Sequence, residues 1–218
     1  DKERIIVWQC DDFDTAFASI DIEGLWKDKT QLFGKFTTQE KRYRSKCLKQ
    51  ADVVCLMAVF PDFFTKEQMA ASYDYYFPIT IHDSSNSMCH HQVLAAIIGR
   101  PEEAYENWKR SIDIDFGARP RASDGVHFAN VGGMWQEIVF GFAGVSSVLN
   151  RDELTFNPCM PGQIKKISFK LYWKGDWVRV TITGNEVEVA NLSDKDVTFS
   201  VKGVRNTAKV GSVARTAY

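Results

Sequence analysis

Three polar clusters fall where a packed chain alone would not call for them. The run His82-Asp83-Ser84-Ser85-Asn86-Ser87 sits just ahead of an apolar helical pattern. Ser84 and Ser85 read equally well as ordinary N-cap residues with Asp83 beside the helix dipole, or as an anion site. In the second case free backbone N–H groups, two hydroxyl donors and the positive helix end converge on one point, as a phosphate requires. The run Lys49-Gln50-Ala51-Asp52 opens the most apolar helical stretch of the chain. It is either a solvated helix end, since Lys is rarely buried, or a pair that reaches sugar hydroxyls from a rigid terminus. Ser123-Asp124-Gly125-Val126-His127, followed by Gly132-Gly133, puts a histidine between an Asp-Gly turn and a Gly-Gly helix start. Backbone can approach a ligand closely there, so His127 is a structural histidine or a second anion or sugar contact.

None of these clusters is a complete hydrolytic apparatus. Glycosidic cleavage needs a carboxylic acid to protonate the leaving oxygen, together with a base, a nucleophile or an external anion. Asp83 and Asp124 are candidate carboxyls, but each reads more simply as orienting its own turn. No Gly-x-Ser-x-Gly elbow and no nucleotide-type glycine loop occurs. His90 and His91 are adjacent in a helical pattern and point about 100° apart, so they cannot share a metal; packing or solvent accounts for them, and no metal site is expected.

The elements that must carry these clusters change type along the chain. From about residue 45 to 148 the apolar residues recur at helical spacing. One helix is expected over 48–60, ended by Pro61. A second is capped by Thr65 with Gln68 completing a capping box. A third runs from about Ser84 to Ile98 and stops at Gly99. A fourth opens at Pro101 with Glu102 and Glu103 at the positive dipole end and carries Ala104, Trp108, Ser111 and Ile112 on one face. A fifth is expected over about 133–148. After Asn150 the period becomes two: Ile164 to Trp173, Trp177 to Ile182, Val187 to Ala190 and Val197 to Val201 read as short strands, with turns at Lys174-Gly175-Asp176 and Gly184-Asn185, in an antiparallel sheet or sandwich. The expected division is a helical part over 1–150 with its first 44 residues mostly irregular, a β-domain over 151–203, and a small, polar, mobile tail over 204–218.

Composition excludes several classes. The 218 residues carry 27 basic and 28 acidic side chains, a net charge of -1, which gives no electrostatic footing for nucleic acid. The longest apolar stretch, near residues 53–60, is far short of a membrane span. Five scattered cysteines without zinc or redox spacing read as reduced thiols. With no charged-then-apolar leader after Asp1-Lys2-Glu3-Arg4, a cytoplasmic location is the expectation.

At these same residues the sequence resembles glycoside hydrolase family 65, the maltose, trehalose and kojibiose phosphorylases. The resemblance rests on Lys49-Gln50-Ala51-Asp52-Val53-Val54, Tyr75-Tyr76, His82-Asp83-Ser84-Ser85, Ser123-Asp124-Gly125-Val126-His127, Gly132-Gly133-Met134-Trp135 and Gly141-Phe142-Ala143-Gly144, in order. Leu154-Thr155-Phe156-Asn157-Pro158 and Pro161 are similar to that family's passage into its C-terminal β-domain. The similarity covers about residues 45–190, and the first 44 match poorly. Asn86 and Met88 replace residues that are commonly Leu and Pro.

The resemblance implies an α + β chain in two parts, the second part of an (α/α)6 barrel followed by a small β-sheet domain. Five helices cannot close a ring of twelve. It implies the C-terminal portion of an inverting disaccharide phosphorylase. Lys49 and Gln50 would bind the transferred glucosyl unit; Ser84, Ser85 and His127 would hold inorganic phosphate, a co-substrate in an enzyme without a cofactor. Nothing here matches the general-acid Glu motif, so that residue is expected outside this chain, on an N-terminal remainder carried as a separate chain or missing segment. Alone, the chain is expected to be inactive. The resemblance leaves room for homo-oligomers, for an α-glucosidase, or for a non-catalytic sugar-binding or structural subunit.

Overall fold

The computed structural model describes residues 3–83, 86–117, 125–146 and 153–218. Ser84, Ser85, Ser123, Asp124 and the boundary expected near residue 150 lie outside the described residues.

The first 44 residues hold three short helices, α1 (Phe13–Ala16), α2 (Ile22–Leu25) and α3 (Gln39–Tyr43), joined by irregular chain. They are fastened by polar contacts: Asp14 accepts from Lys46 Nζ at 2.7 Å, Arg4 at 2.6 Å and the Tyr75 hydroxyl at 3.2 Å. The two cations hold its carboxyl far below the usual carboxylate range.

The longer helices follow. Helix α4 (Asp52–Val59) starts four residues later than its apolar pattern suggests. Leu48 is taken by a parallel bridge to Thr80, its N–H bonding the Ile79 carbonyl at 2.8 Å and its carbonyl accepting from Ile81 at 2.9 Å. Lys49 and Gln50 therefore stand before the helix, not in its first turn. Helix α5 (Lys66–Tyr76) has the expected capping box, with Gln68 N–H on Thr65 Oγ1 and Thr65 N–H on Gln68 Oε1. Helix α6 (Ser87–Ile97) ends just ahead of Gly99, whose φ of 85° suits glycine. Helix α7 (Pro101–Phe116) opens on Pro101. Helix α8 (Phe128–Gln136) passes into a π-helical turn, Glu137–Phe142.

Helix α6 is buried almost all round and meets α4, α5, α7, α8 and the π-turn. An all-apolar surround marks an inner helix. The Gly132-Gly133 pair, expected to begin a helix, lies inside α8 instead. At Gly133 an added Cβ would stand 3.0 Å from Cys89 Cβ and 3.1 Å from its sulfur, so glycine serves the contact with α6 and not a helix start.

The β part contains two sheets. One is antiparallel in the order β2 (Lys166–Trp173), β3 (Asp176–Thr183), β4 (Glu186–Asn191), β7 (Val213–Ala217). The other has the order β1 (Leu154–Phe156), β5 (Val197–Val201), β6 (Val204–Ala208), with β1 and β5 parallel. An all-antiparallel arrangement thus gives way to one parallel pair. Inward residues of both sheets, among them Val180, Ile182, Val189, Phe156, Phe199 and Val201, form one core, as in a sandwich.

Residues 204–217, expected as a tail, are largely taken up by strands β6 and β7. Lys202 and Gly203 both have positive φ and turn Val201 onto Val204, as Lys174 and Gly175 turn Trp173 onto Asp176. Both strands bury few side chains, Ala208 and Thr216 chief among them, so their alternation is faint in the sequence.

The π-turn joins the two parts. Val139, Ala143 and Val145 pack into the β core, while Phe142 and Ile138 pack with the helices. Gly144 has φ 61°, and an added Cβ would collide with the Asn157 carbonyl. The backbone is tied across this junction by Asn157 N–H to Gly144 O at 2.8 Å and Cys159 N–H to Phe142 O at 2.9 Å. Gly144→Ala is expected to cost on the order of 3 kcal/mol, from the left-handed backbone and the clash together. A denaturant midpoint unchanged within error would refute that reading.

Candidate active site

The N-terminal ends of α4 and α6 and one flank of α8 face a common cavity of about 290 Å³. Gln50, Ala51, Asp52 and Cys55 line it from the start of α4, Asn86, Ser87, Cys89 and His90 from α6, and Ala129, Gly133 and Gln136 from α8. Two helix starts at one space bring first-turn N–H groups and positive dipole ends to its wall. The arrangement is suited to an anion. Three larger cavities, of about 790, 570 and 460 Å³, are lined by none of Lys49, Gln50 and His127.

The five residues singled out by the sequence are placed as follows. Gln50 lines the cavity, and Lys49 precedes it on an exposed bend. Ser84 and Ser85 lie outside the described residues, between Asp83 and the cavity-lining Asn86. His127 is the N-cap residue of α8, half-exposed, two residues ahead of the cavity-lining Ala129. Lys49 and His127 do not line this cavity among the described residues.

The segment leading to the serines is held by histidine chemistry. His82 adopts φ 50°, a left-handed conformation uncommon outside glycine and taken most readily by Asn, Asp and His. Its ring is fixed at both nitrogens: Nε2–H donates to the Phe77 carbonyl at 3.2 Å, and Nδ1 accepts from the Ser87 hydroxyl at 2.9 Å. His91 packs edge-on against it at 4.6 Å between ring centres, with Nδ1–H on the Ser87 carbonyl at 3.0 Å. Burial pulls both rings below the ordinary histidine range, His91 to about 4, so they pack as neutral groups. His91 thus follows the packing reading. His90 borders the cavity, and burial lowers it too.

A buried acid missed by the sequence reading stands behind His127. Asp115 Oδ1 lies 3.0 Å from His127 Nδ1, and its Oδ2 accepts from Asn130 Nδ2 at 2.8 Å. Its spacing was visible: Ala104, Trp108, Ser111 and Asp115 run at four, three and four along the inner stripe of α7. An aspartate on a buried stripe is the signal.

Residues 1–136 match the family described as "Glycosyl hydrolase family 65 central catalytic domain", and residues 148–207 match "Glycosyl hydrolase family 65, C-terminal domain". The chain belongs to glycosyl hydrolase family 65. The match begins at residue 1, so the first 44 residues, expected to resemble the family poorly, are part of it. Similar proteins include a kojibiose phosphorylase of Halothermothrix orenii, 39% identical over 165 residues. An alpha,alpha-trehalose phosphorylase of Thermoanaerobacter brockii is 35% identical over 156 residues, and a maltose phosphorylase of Bacillus subtilis 32% over 149. These alignments take in 73%, 71% and 68% of this chain but only 21%, 20% and 19% of those proteins. The chain therefore spans about a fifth of the length of the curated relatives it matches. A solved structure from the human microbiome, provisionally assigned as a kojibiose phosphorylase, superposes with a TM-score of 0.84 at 24% identity, over 100% of this chain and 32% of that one. It shares the fold.

One carboxyl of this family 65 chain is set apart from the cavity. Glu137, first residue of the π-turn, is 0% exposed, and neither carboxyl oxygen has a hydrogen-bond partner among the described residues. Burial pushes it up to about 9, and the nearby Ser111 hydroxyl offsets little of this. Glu137 is held protonated when folded but ionises near 4.5 when unfolded. Its contribution is thus complete below about pH 4.5 and is lost as pH rises toward 9. Glu137→Gln should flatten the fall in unfolding midpoint between those pH values. An identical pH slope in the wild type and the variant would show that Glu137 is not the titrating group.

Proposed function

We propose that this chain is the C-terminal, phosphate-side portion of an inverting α-glucoside phosphorylase, working in the cytoplasm. Phosphate and an α-linked glucosyl disaccharide would become β-glucose 1-phosphate and a free sugar. The observation that carries this reading is the meeting of the α4 and α6 helix starts at a cavity that Gln50 lines, in a chain whose relatives named above are disaccharide phosphorylases.

In this reading Lys49 and Gln50 hold the glucosyl hydroxyls. Ser84, Ser85 and His127 hold inorganic phosphate where a hydrolase would place its base-activated water. A phosphate oxygen attacks the anomeric carbon from the face opposite the leaving sugar. The glycosidic bond breaks, and the leaving oxygen takes its proton from a Glu on the N-terminal remainder. No cofactor enters the reaction.

Helices α4 to α8 supply the second part of an (α/α)6 barrel, and the remainder supplies the rest. Exposed apolar side chains on α4 and α8, including Leu56, Phe128, Val131 and Trp135, suit a surface that the missing helices cover.

The test begins with the mass and subunit composition of the native protein, together with release of glucose 1-phosphate from kojibiose, trehalose, maltose and nigerose. Release that requires phosphate is expected wherever the remainder is present. His127→Ala should raise the phosphate KM about tenfold to a hundredfold, the loss of one hydrogen bond to a charged group. Sugar release without phosphate would instead indicate an α-glucosidase. A lone chain that binds sugar without turnover would indicate a non-catalytic subunit.

A further inference from the structure

Asp115 occupies an unfavourable place. Its side chain is 0% exposed, and a buried carboxylate is costly unless it is paired and hydrogen-bonded. It also lies in the last turn of α7, where the helix dipole disfavours negative charge. A role in packing alone would be met by an apolar residue of similar size.

The polar groups around it form a closed set with one open end. Asn130, fully buried, donates through Nδ2 to Asp115 Oδ2 at 2.8 Å and to the Ser111 carbonyl at 3.1 Å. Its Oδ1 accepts from the Ser111 hydroxyl at 3.2 Å. Every polar group of the Asn130 side chain is satisfied, so its orientation is fixed and Asp115 is aimed in turn. The other carboxylate oxygen meets His127 Nδ1 at 3.0 Å. A carboxylate only accepts, so Nδ1 must carry the proton. What remains is Nε2, on a ring that is half-exposed at the start of α8.

We infer that Asp115, aimed by Asn130 and Ser111, is a positioning residue for His127: it holds the ring in the Nδ1–H form and turns Nε2 toward the oxyanion. The inference rests on the phosphate reading of His127 given above and adds the residues that aim it. Outer partners of this kind fix which ring nitrogen meets the ligand. Asparagine at position 115 could not replace the carboxylate. If its oxygen kept the bond from Asn130, its amide N–H would face Nδ1 and force the ring proton onto Nε2.

The test uses the full-length parent protein with 15N-labelled histidine, the His127 signals being assigned by difference with His127→Gln. At a pH where the ring is neutral, the wild type is expected to carry its proton on Nδ1, and the Nε2 signal should shift on titration with inorganic phosphate. Asp115→Asn should move the proton to Nε2 and raise the phosphate KM about tenfold, the low end for loss of an outer partner, with the disaccharide KM unchanged. A wild-type ring protonated on Nε2 overturns the inference without need of any variant. A phosphate response kept at full affinity in Asp115→Asn overturns the inference alone. An Nε2 signal that ignores phosphate in the wild type defeats the phosphate reading and the inference together.

Discussion

The close approach of α8 and its π-turn to α6 is the constraint on which the remaining geometry depends. Two glycines make it available. At Gly133 a side chain would press on Cys89, and at Gly141 it would collide with the Gln92 amide. With both positions bare, α6 can be surrounded by α4, α5, α7, α8 and the π-turn, and the starts of α4 and α6 come to face one cavity along the flank of α8. Larger residues would push α8 outward and take His127 with it. The wall that α8 gives the candidate site is thus set by its packing on α6.

Polar groups around this contact divide by what they do. His91 is buried and His82 half-buried, both neutral and bonded to backbone or to Ser87, and their chemistry is that of well-packed rings. Glu137 is buried as a neutral acid. Asp115 differs from all three, because its bonds lead outward to a ring at the surface. Burial and a perturbed titration therefore do not by themselves mark a site here. The direction in which the hydrogen bonds run separates the groups bonded into the interior from the one bonded to a ring at the surface.

Features that were legible in the sequence are those decided within a few residues. The Thr65–Gln68 capping box, the Pro101 helix start and the Lys174-Gly175 turn each depend on local backbone needs. Misread features depend on partners distant in the chain. Leu48 looks helical by period but is claimed by a bridge to Thr80. Gly132-Gly133 looks like a helix boundary, yet Gly133 answers to Cys89, 44 positions earlier. Residues 204–217 look like a polar tail because strands with little buried surface show little alternation. At the candidate site, Gln50 and His127 were legible as residue types in suggestive places. Asp115 was not, since its meaning comes from Asn130 and His127, brought beside it only when α8 packs across α7.

The β-sandwich, remote from the cavity, still bears on the chemistry through α8. That helix is held at its beginning by the Asp115–His127–Asn130 set. At its far end it runs without interruption into a π-turn whose Val139 and Ala143 are part of the sandwich core. Met160 and Phe169 touch both cores, so the two parts share packed side chains and are not joined by a hinge alone. Interiors this dense transmit displacement in place of absorbing it. A shift of the sandwich against the helices would therefore act along the α8 axis and arrive at the His127 ring. The β part is best understood as the anchor that keeps α8, and with it the His127 end, in place.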